Sequence, residues 1–117
     1  MYTAEQLKDW VVEALEDRKG VEVKVLDVRK LTDITDYMIL ATGTSDRHVR
    51  SLADAVRDKA RAHGVRLLGG EGDDSGEWVL VDLGDVIAHT MRAEARDYYN
   101  LEKLWSAVGE QRGSATQ

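Results

Sequence analysis

Tyr37-Met38-Ile39-Leu40-Ala41-Thr42-Gly43-Thr44-Ser45 is the stretch that sets the fold class. Its first five residues form a continuous apolar run, which predicts a strand covered on both faces. Thr42 to Ser45 break that run with a turn, and Ser45 is a natural N-cap for a helix. Val49, Leu52, Ala53, Val56 and Ala60 then recur at helical spacing, and Gly64 marks the stop. A buried strand running straight into an amphipathic helix predicts a sheet with helices packed against it.

The pattern extends in both directions. Upstream, Thr3-Ala4-Glu5-Gln6 is a capping box. Leu7, Trp10, Val11, Ala14 and Leu15 give a first helix its apolar stripe, with Trp10 read as core and Lys19-Gly20 as the end. Val21, Val23 and Val25 alternate with Glu22 and Lys24, as in a half-buried strand. Asp33 to Asp36 carries turn chemistry. Downstream, Val65 to Leu68 reads as a short strand and residues 69–76, rich in Gly and Asp, as a loop. Trp78 to Val81 and Val86 to Met91 flank the tight turn Leu83-Gly84-Asp85 and read as an antiparallel hairpin. Arg92 to Tyr99 reads as a short helix or turn. Asn100 can cap a last helix with Leu101, Leu104, Trp105 and Val108 on one face.

The expected order is α-β-β-α-β-β-β-α, an α+β arrangement with a mixed sheet. The helix between the second and third strands allows a parallel pair. Residues 1–108 are expected to form one domain, followed by a flexible polar tail, 109–117. A chain of 117 residues can bury roughly 65% of its unfolded surface and needs no staple.

Composition narrows the function. There is no cysteine, which excludes disulfides, thiolate metal sites and cysteine nucleophiles, and suits a reducing compartment. The first ten residues lack the basic start and apolar core of a signal peptide, and no apolar run approaches a membrane span of roughly 20 residues. The expectation is a cytoplasmic protein without a membrane partner. The net charge is −6, from 16 Lys+Arg and 22 Asp+Glu. Glu71, Asp73, Asp74, Glu77, Asp82 and Asp85 lie between Glu71 and Met91, a stretch without Lys or Arg. The remaining charges balance, so this stretch holds the whole excess. Such a field repels phosphate and attracts cationic surfaces.

Gly43-Thr44-Ser45 is the most enzyme-like feature, since a helix N-terminus can cradle phosphate. No Gly-Lys-Ser/Thr follows, so it is not a P-loop. Nucleotidyltransferases use Gly-Ser at such a junction but need paired carboxylates on the next strand, and Val65-Arg66-Leu67-Leu68 has none. Turn plus N-cap is the preferred reading. His48, His63 and His89 form no metal-binding pair, and no nucleophile elbow supports a triad. Arg57, Lys59 and Arg61, with His63 and Arg66 beyond them, could touch RNA phosphate, but Asp54 and Asp58 among them favour a solvated face. Neither metal nor cofactor is expected.

The last third combines these acids with Trp78, Tyr98, Tyr99 and Trp105, the aromatic types that anchor interfaces. Trp105 and Leu104 fit a core stripe equally well. Glu71-Gly72, Trp78, Val81-Asp82, Gly84-Asp85-Val86-Ile87, His89 and then Arg96-Asp97-Tyr98-Tyr99-Asn100-Leu101-Glu102-Lys103-Leu104-Trp105 resemble the Iojap or ribosomal silencing factor (RsfS) family. Asp33-Ile34-Thr35-Asp36-Tyr37-Met38-Ile39, Thr42-Gly43-Thr44-Ser45 and Arg47-His48-Val49 match it as well. The resemblance runs from about Leu7 to Trp105. Ala88, where the family usually has Val, and Thr90-Met91, in place of a more apolar pair, depart from it.

The resemblance implies a nucleotidyltransferase-like fold without catalytic carboxylates, often dimeric in isolation. It implies no enzyme activity. It implies a protein that binds ribosomal protein fourteen of the large subunit and sterically blocks the small subunit. Trp78, Asp82, Leu83, His89, Tyr98 and Tyr99 are the expected contact residues, with Glu71 and Asp85 as further pairing acids. A nucleotide-binding enzyme built on Gly43-Thr44-Ser45 and a dimeric scaffold are the rival readings.

Overall fold

The computed structural model describes residues 1–72 and 74–105. Val108, the tail 109–117 and Asp73 lie outside the described residues. The elements are α1 (Ala4–Asp17), β1 (Val21–Asp27), β2 (Tyr37–Gly43), α2 (Asp46–Ala62), β3 (Gly69–Glu71), β4 (Trp78–Asp82), β5 (Val86–Arg92) and α3 (Ala93–Tyr99). A further helical turn covers 101–105. The five strands form one mixed sheet in the order β1-β2-β5-β4-β3. The β4–β5 hairpin is antiparallel, and the parallel pair is β2 with β5.

Local chemistry explains most boundaries. The α1 capping box is complete: Thr3 Oγ1 accepts the Gln6 N–H at 3.1 Å, and the Thr3 N–H donates to Gln6 Oε1 at 2.9 Å. β2 is buried at all seven positions, as its unbroken apolar run requires. One face of the sheet is covered by α1 and α2. Leu7, Val11 and Leu15 of α1 and Val49, Leu52 and Val56 of α2 pack there with Tyr37, Ile39, Val79, Val81, Val86 and Ala88. Thr90, one departure from the family pattern, is buried on this side and donates to the Val49 carbonyl at 3.1 Å. The other face carries a smaller cluster of Met38, Leu40, Met91 and Ala95, with Leu26, Trp78, Leu101 and Trp105 against it. Trp105 therefore roofs this second cluster.

Four expectations need correction. The strand expected at 65–68 forms instead at Gly69–Glu71, where the chain runs alongside β4. A Cβ on Gly70 would sit 2.8 Å from the Leu80 carbonyl, so glycine permits the close approach. β1 is not a simple alternation. A bulge between Val21 and Lys24, with Glu22 at φ 49°, shifts the pattern, and Val21 and Val25 are exposed at the sheet edge. Lys19 rather than Gly20 takes the left-handed conformation after α1, at φ 61°. Gly20 has little room for a side chain, because its Cβ would lie 3.0 Å from the Leu15 carbonyl. Trp10 is only half-buried, stacked on His63 with ring centroids 3.8 Å apart.

Candidate partner-binding face

Side chains alternate along a strand, so the ladder register states which residues share the sheet face away from α1 and α2. Leu80 pairs with His89, and His89 with Leu40. Asp82 pairs with Ile87, and Trp78 with Met91. Glu71 continues the Leu80 row onto β3. This face therefore carries Trp78, Leu80, Asp82, Ile87, His89 and Glu71 together.

Trp78, His89, Tyr98 and Tyr99 form one continuous group. The Trp78 indole Nε1–H donates to His89 Nδ1 at 2.9 Å. The Trp78 ring lies 4.7 Å from Tyr99, and Tyr99 lies 5.0 Å from Tyr98, edge to face. Tyr98 is 81% exposed and Tyr99 52%, so α3 presents two large rings to solvent. Grooves flank the group on both sides. One of about 380 Å³ is lined by Glu77, Glu94, Ala95, Tyr98 and Tyr99. Another of about 330 Å³ is lined by Glu71, Gly72, Trp78 and Leu80. Each sets a carboxylate beside an aromatic ring, a combination that suits a Lys or Arg side chain.

Asp82 shares the face, but its Oδ1 also accepts the Gly84 N–H at 2.9 Å, so it braces the hairpin turn. Leu83 does not join the group. It is 4% exposed and packs in the larger core beneath the helices, because the turn directs it to the opposite side from Asp82. Its expected contribution of contact area is not available on this face. Asp85 is exposed in the turn, where its carbonyl accepts the N–H groups of Asp36 and Tyr37.

Arg96 is a residue whose role the sequence reading missed. It is 7% exposed and holds α3 to the sheet. Its Nε donates to Glu102 at 2.7 Å, and its Nη1 donates to the Glu22 carbonyl at 2.8 Å and Thr42 Oγ1 at 2.9 Å. The hydrogen bond from Arg96 holds the Glu102 carboxyl below its ordinary range, despite the opposing effect of burial. Lys24 adds an ion pair to Glu102 at 3.5 Å. The clamp ties α3, which carries Tyr98 and Tyr99, to β1 and β2.

His89 is held neutral by burial, which lowers its pKa from 6.5 to about 4. The unfolded chain binds this proton below about 6.5 and the folded protein only near 4. Its contribution is thus complete above 6.5 and is lost as pH falls toward 4. Urea unfolding at pH 7.5 and pH 5 is expected to show a loss of about 2 kcal/mol from this residue. A variant without the imidazole should lose that much less over the same interval.

The turn at Gly43-Thr44-Ser45 is occupied by the protein's own groups. The Thr44 N–H donates to His48 Nδ1 at 2.9 Å, and the His48 N–H to Ser45 Oγ at 3.0 Å. A Cβ on Gly43 would lie 2.8 Å from the Val49 nitrogen, so tight packing explains the glycine. Among the described residues, no cluster of three or more His, Asp or Glu side chains could hold a metal ion. The cations in the second half of α2 are paired: Arg57 with Asp54 at 3.0 Å, Arg61 with Asp58 at 3.4 Å and Lys59 with Glu13 at 2.6 Å. No helix among the described residues is long and apolar enough to cross a membrane.

The family profile described as "Ribosomal silencing factor during starvation" matches residues 2–117. The chain belongs to the ribosomal silencing factor family. It is 48% identical over 101 residues to Ribosomal silencing factor RsfS of Chromobacterium violaceum, covering 86% of this chain and 83% of that one. RsfS of Haemophilus influenzae is 41% identical, over 86% of this chain and 98% of that one. A crystal structure of a Chromobacterium violaceum protein superposes with a TM-score of 0.88 at 47% identity, over 90% of this chain and 88% of that one. That solved structure thus shares this fold.

Proposed function

We propose that this RsfS family member silences ribosomes by docking the face around Trp78 on the large ribosomal subunit. Ribosomal protein fourteen is the contact, and the bound factor occupies the space that the small subunit needs. One observation carries the reading: Tyr98, Tyr99 and Trp78 form an outward-facing aromatic group between two grooves that each hold carboxylates. Interface centres use such aromatics, and an acidic rim steers a basic ribosomal protein toward them. The occupied turn before α2 favours a binding protein over a nucleotidyltransferase. The relatives' name, ribosomal silencing factor, supports the same role; the proposed place of action is the cytoplasm.

Co-sedimentation with isolated large subunits tests the docking step. The protein is expected to pellet with large subunits and not with joined ribosomes, and raising salt should weaken the complex by screening its rim. Equal recovery with joined ribosomes would contradict the occlusion mechanism.

A further inference from the structure

The proposed docking face contains one polar atom that its own fold leaves unanswered. His89 is 5% exposed, and its Nε2 has no hydrogen-bond partner among the described residues. The other ring nitrogen determines which atom carries the proton. An indole N–H can only donate, and that of Trp78 points to His89 Nδ1. Nδ1 is therefore the bare acceptor, and the proton of the neutral ring sits on Nε2. A buried donor without an acceptor is rare in folded proteins and calls for an explanation. His89 lies between Leu40 and Leu80 in its row, beside the half-exposed Trp78–Tyr99 pair.

Resting on the docking reading above, we propose that His89 is a specificity-determining residue whose Nε2–H is reserved for a neutral carbonyl oxygen of the docking protein. A cation has no lone pair to offer it. A carboxylate or an RNA phosphate would have to approach beside Glu71 and Asp82, which share the face. A backbone or amide carbonyl accepts the proton without bringing charge. Because Nε2 is covered in the free protein, access requires the neighbouring side chains to shift when the partner docks.

Three substitutions separate this role from simple support of Trp78. His89→Asn keeps an acceptor near the Nδ1 position for Trp78 but has no donor at the Nε2 position. His89→Gln carries an amide donor near Nε2 but gives up Nδ1. His89→Leu lacks both. Dissociation constants for isolated large subunits, from fluorescence anisotropy of the labelled full chain, are read beside Tyr98→Ala, with urea unfolding to confirm the fold. His89→Asn and His89→Leu are expected to weaken binding about tenfold or more, and His89→Gln by less than either. If His89→Leu does not fold, the comparison of Asn with Gln decides. Unaltered binding by His89→Asn, or equal losses for Asn and Gln, would overturn the proposal. If those results came with a large loss for Tyr98→Ala, the docking face would stand without it. Failure of the unsubstituted protein to bind would overturn both.

Discussion

Replacing Arg96 with alanine is expected to destabilise the protein by about 3 kcal/mol, the usual loss when one partner of a buried ion pair is removed. The guanidinium joins three parts of the chain. It donates to Glu102 in the last helical turn, to the Glu22 carbonyl in the β1 bulge and to Thr42 at the end of β2. Alanine would leave those acceptors without their donor and Glu102, one-quarter exposed, without its principal partner. Glu22 sits at φ 49°, a conformation that a non-glycine residue keeps only when its surroundings hold it. The loss should therefore appear first where α3 meets the sheet, with faster amide exchange through residues 93–99 than through β2. Arg96→Lys keeps the charge but not the planar fork, so it is expected to recover only part of the stability. Urea unfolding of the three proteins checks this. A loss under about 1 kcal/mol for alanine would show that the clamp is not what holds α3.

Tyr98→Ala should do the reverse, leaving the fold intact and removing the function. The ring is 81% exposed and stands edge-to-face with Tyr99 outside both core clusters, so its removal opens no core cavity. Stability is expected to stay within about 0.5 kcal/mol of the unsubstituted protein. Affinity for large subunits should fall by about 2 kcal/mol, roughly thirtyfold, as for a central aromatic anchor. Charge reversal at the rim should act differently. Glu71→Lys is expected to slow association and to reduce the salt dependence more than it speeds dissociation. Glu71 is a cleaner site for that test than Asp82, whose carboxylate also holds the Gly84 N–H. Tyr98→Ala binding as tightly as the unsubstituted protein would remove α3 from the interface.

Much of the fold was legible because its signals are local. The α1 capping box, the unbroken apolar run of β2, the Ser45 cap and the 83–85 turn each identify an element within a few residues. Period two along the strand before that turn also places Trp78, Leu80 and Asp82 on one face. β3 was not legible, since a Gly-Gly strand looks like a loop until β4 lies alongside it. The sheet order, with β5 between β2 and β4, depends on pairing across distant segments that no local pattern records. The Arg96 clamp was hidden for a related reason. Two of its acceptors are the backbone carbonyls of Glu22 and Val21, 74 and 75 residues away, and carbonyls leave no trace in residue identity. Leu83 looked like contact area beside Asp82, but neighbours in an extended chain face opposite ways, and only one of the two could lie on the open face.

The most direct test of the account is subunit joining itself. Purified small and large subunits are mixed with saturating protein, and the products are resolved on a sucrose gradient. The account predicts that separate subunits persist with the unsubstituted protein and that joined ribosomes return with Tyr98→Ala. Normal joining in the presence of saturating unsubstituted protein would contradict it.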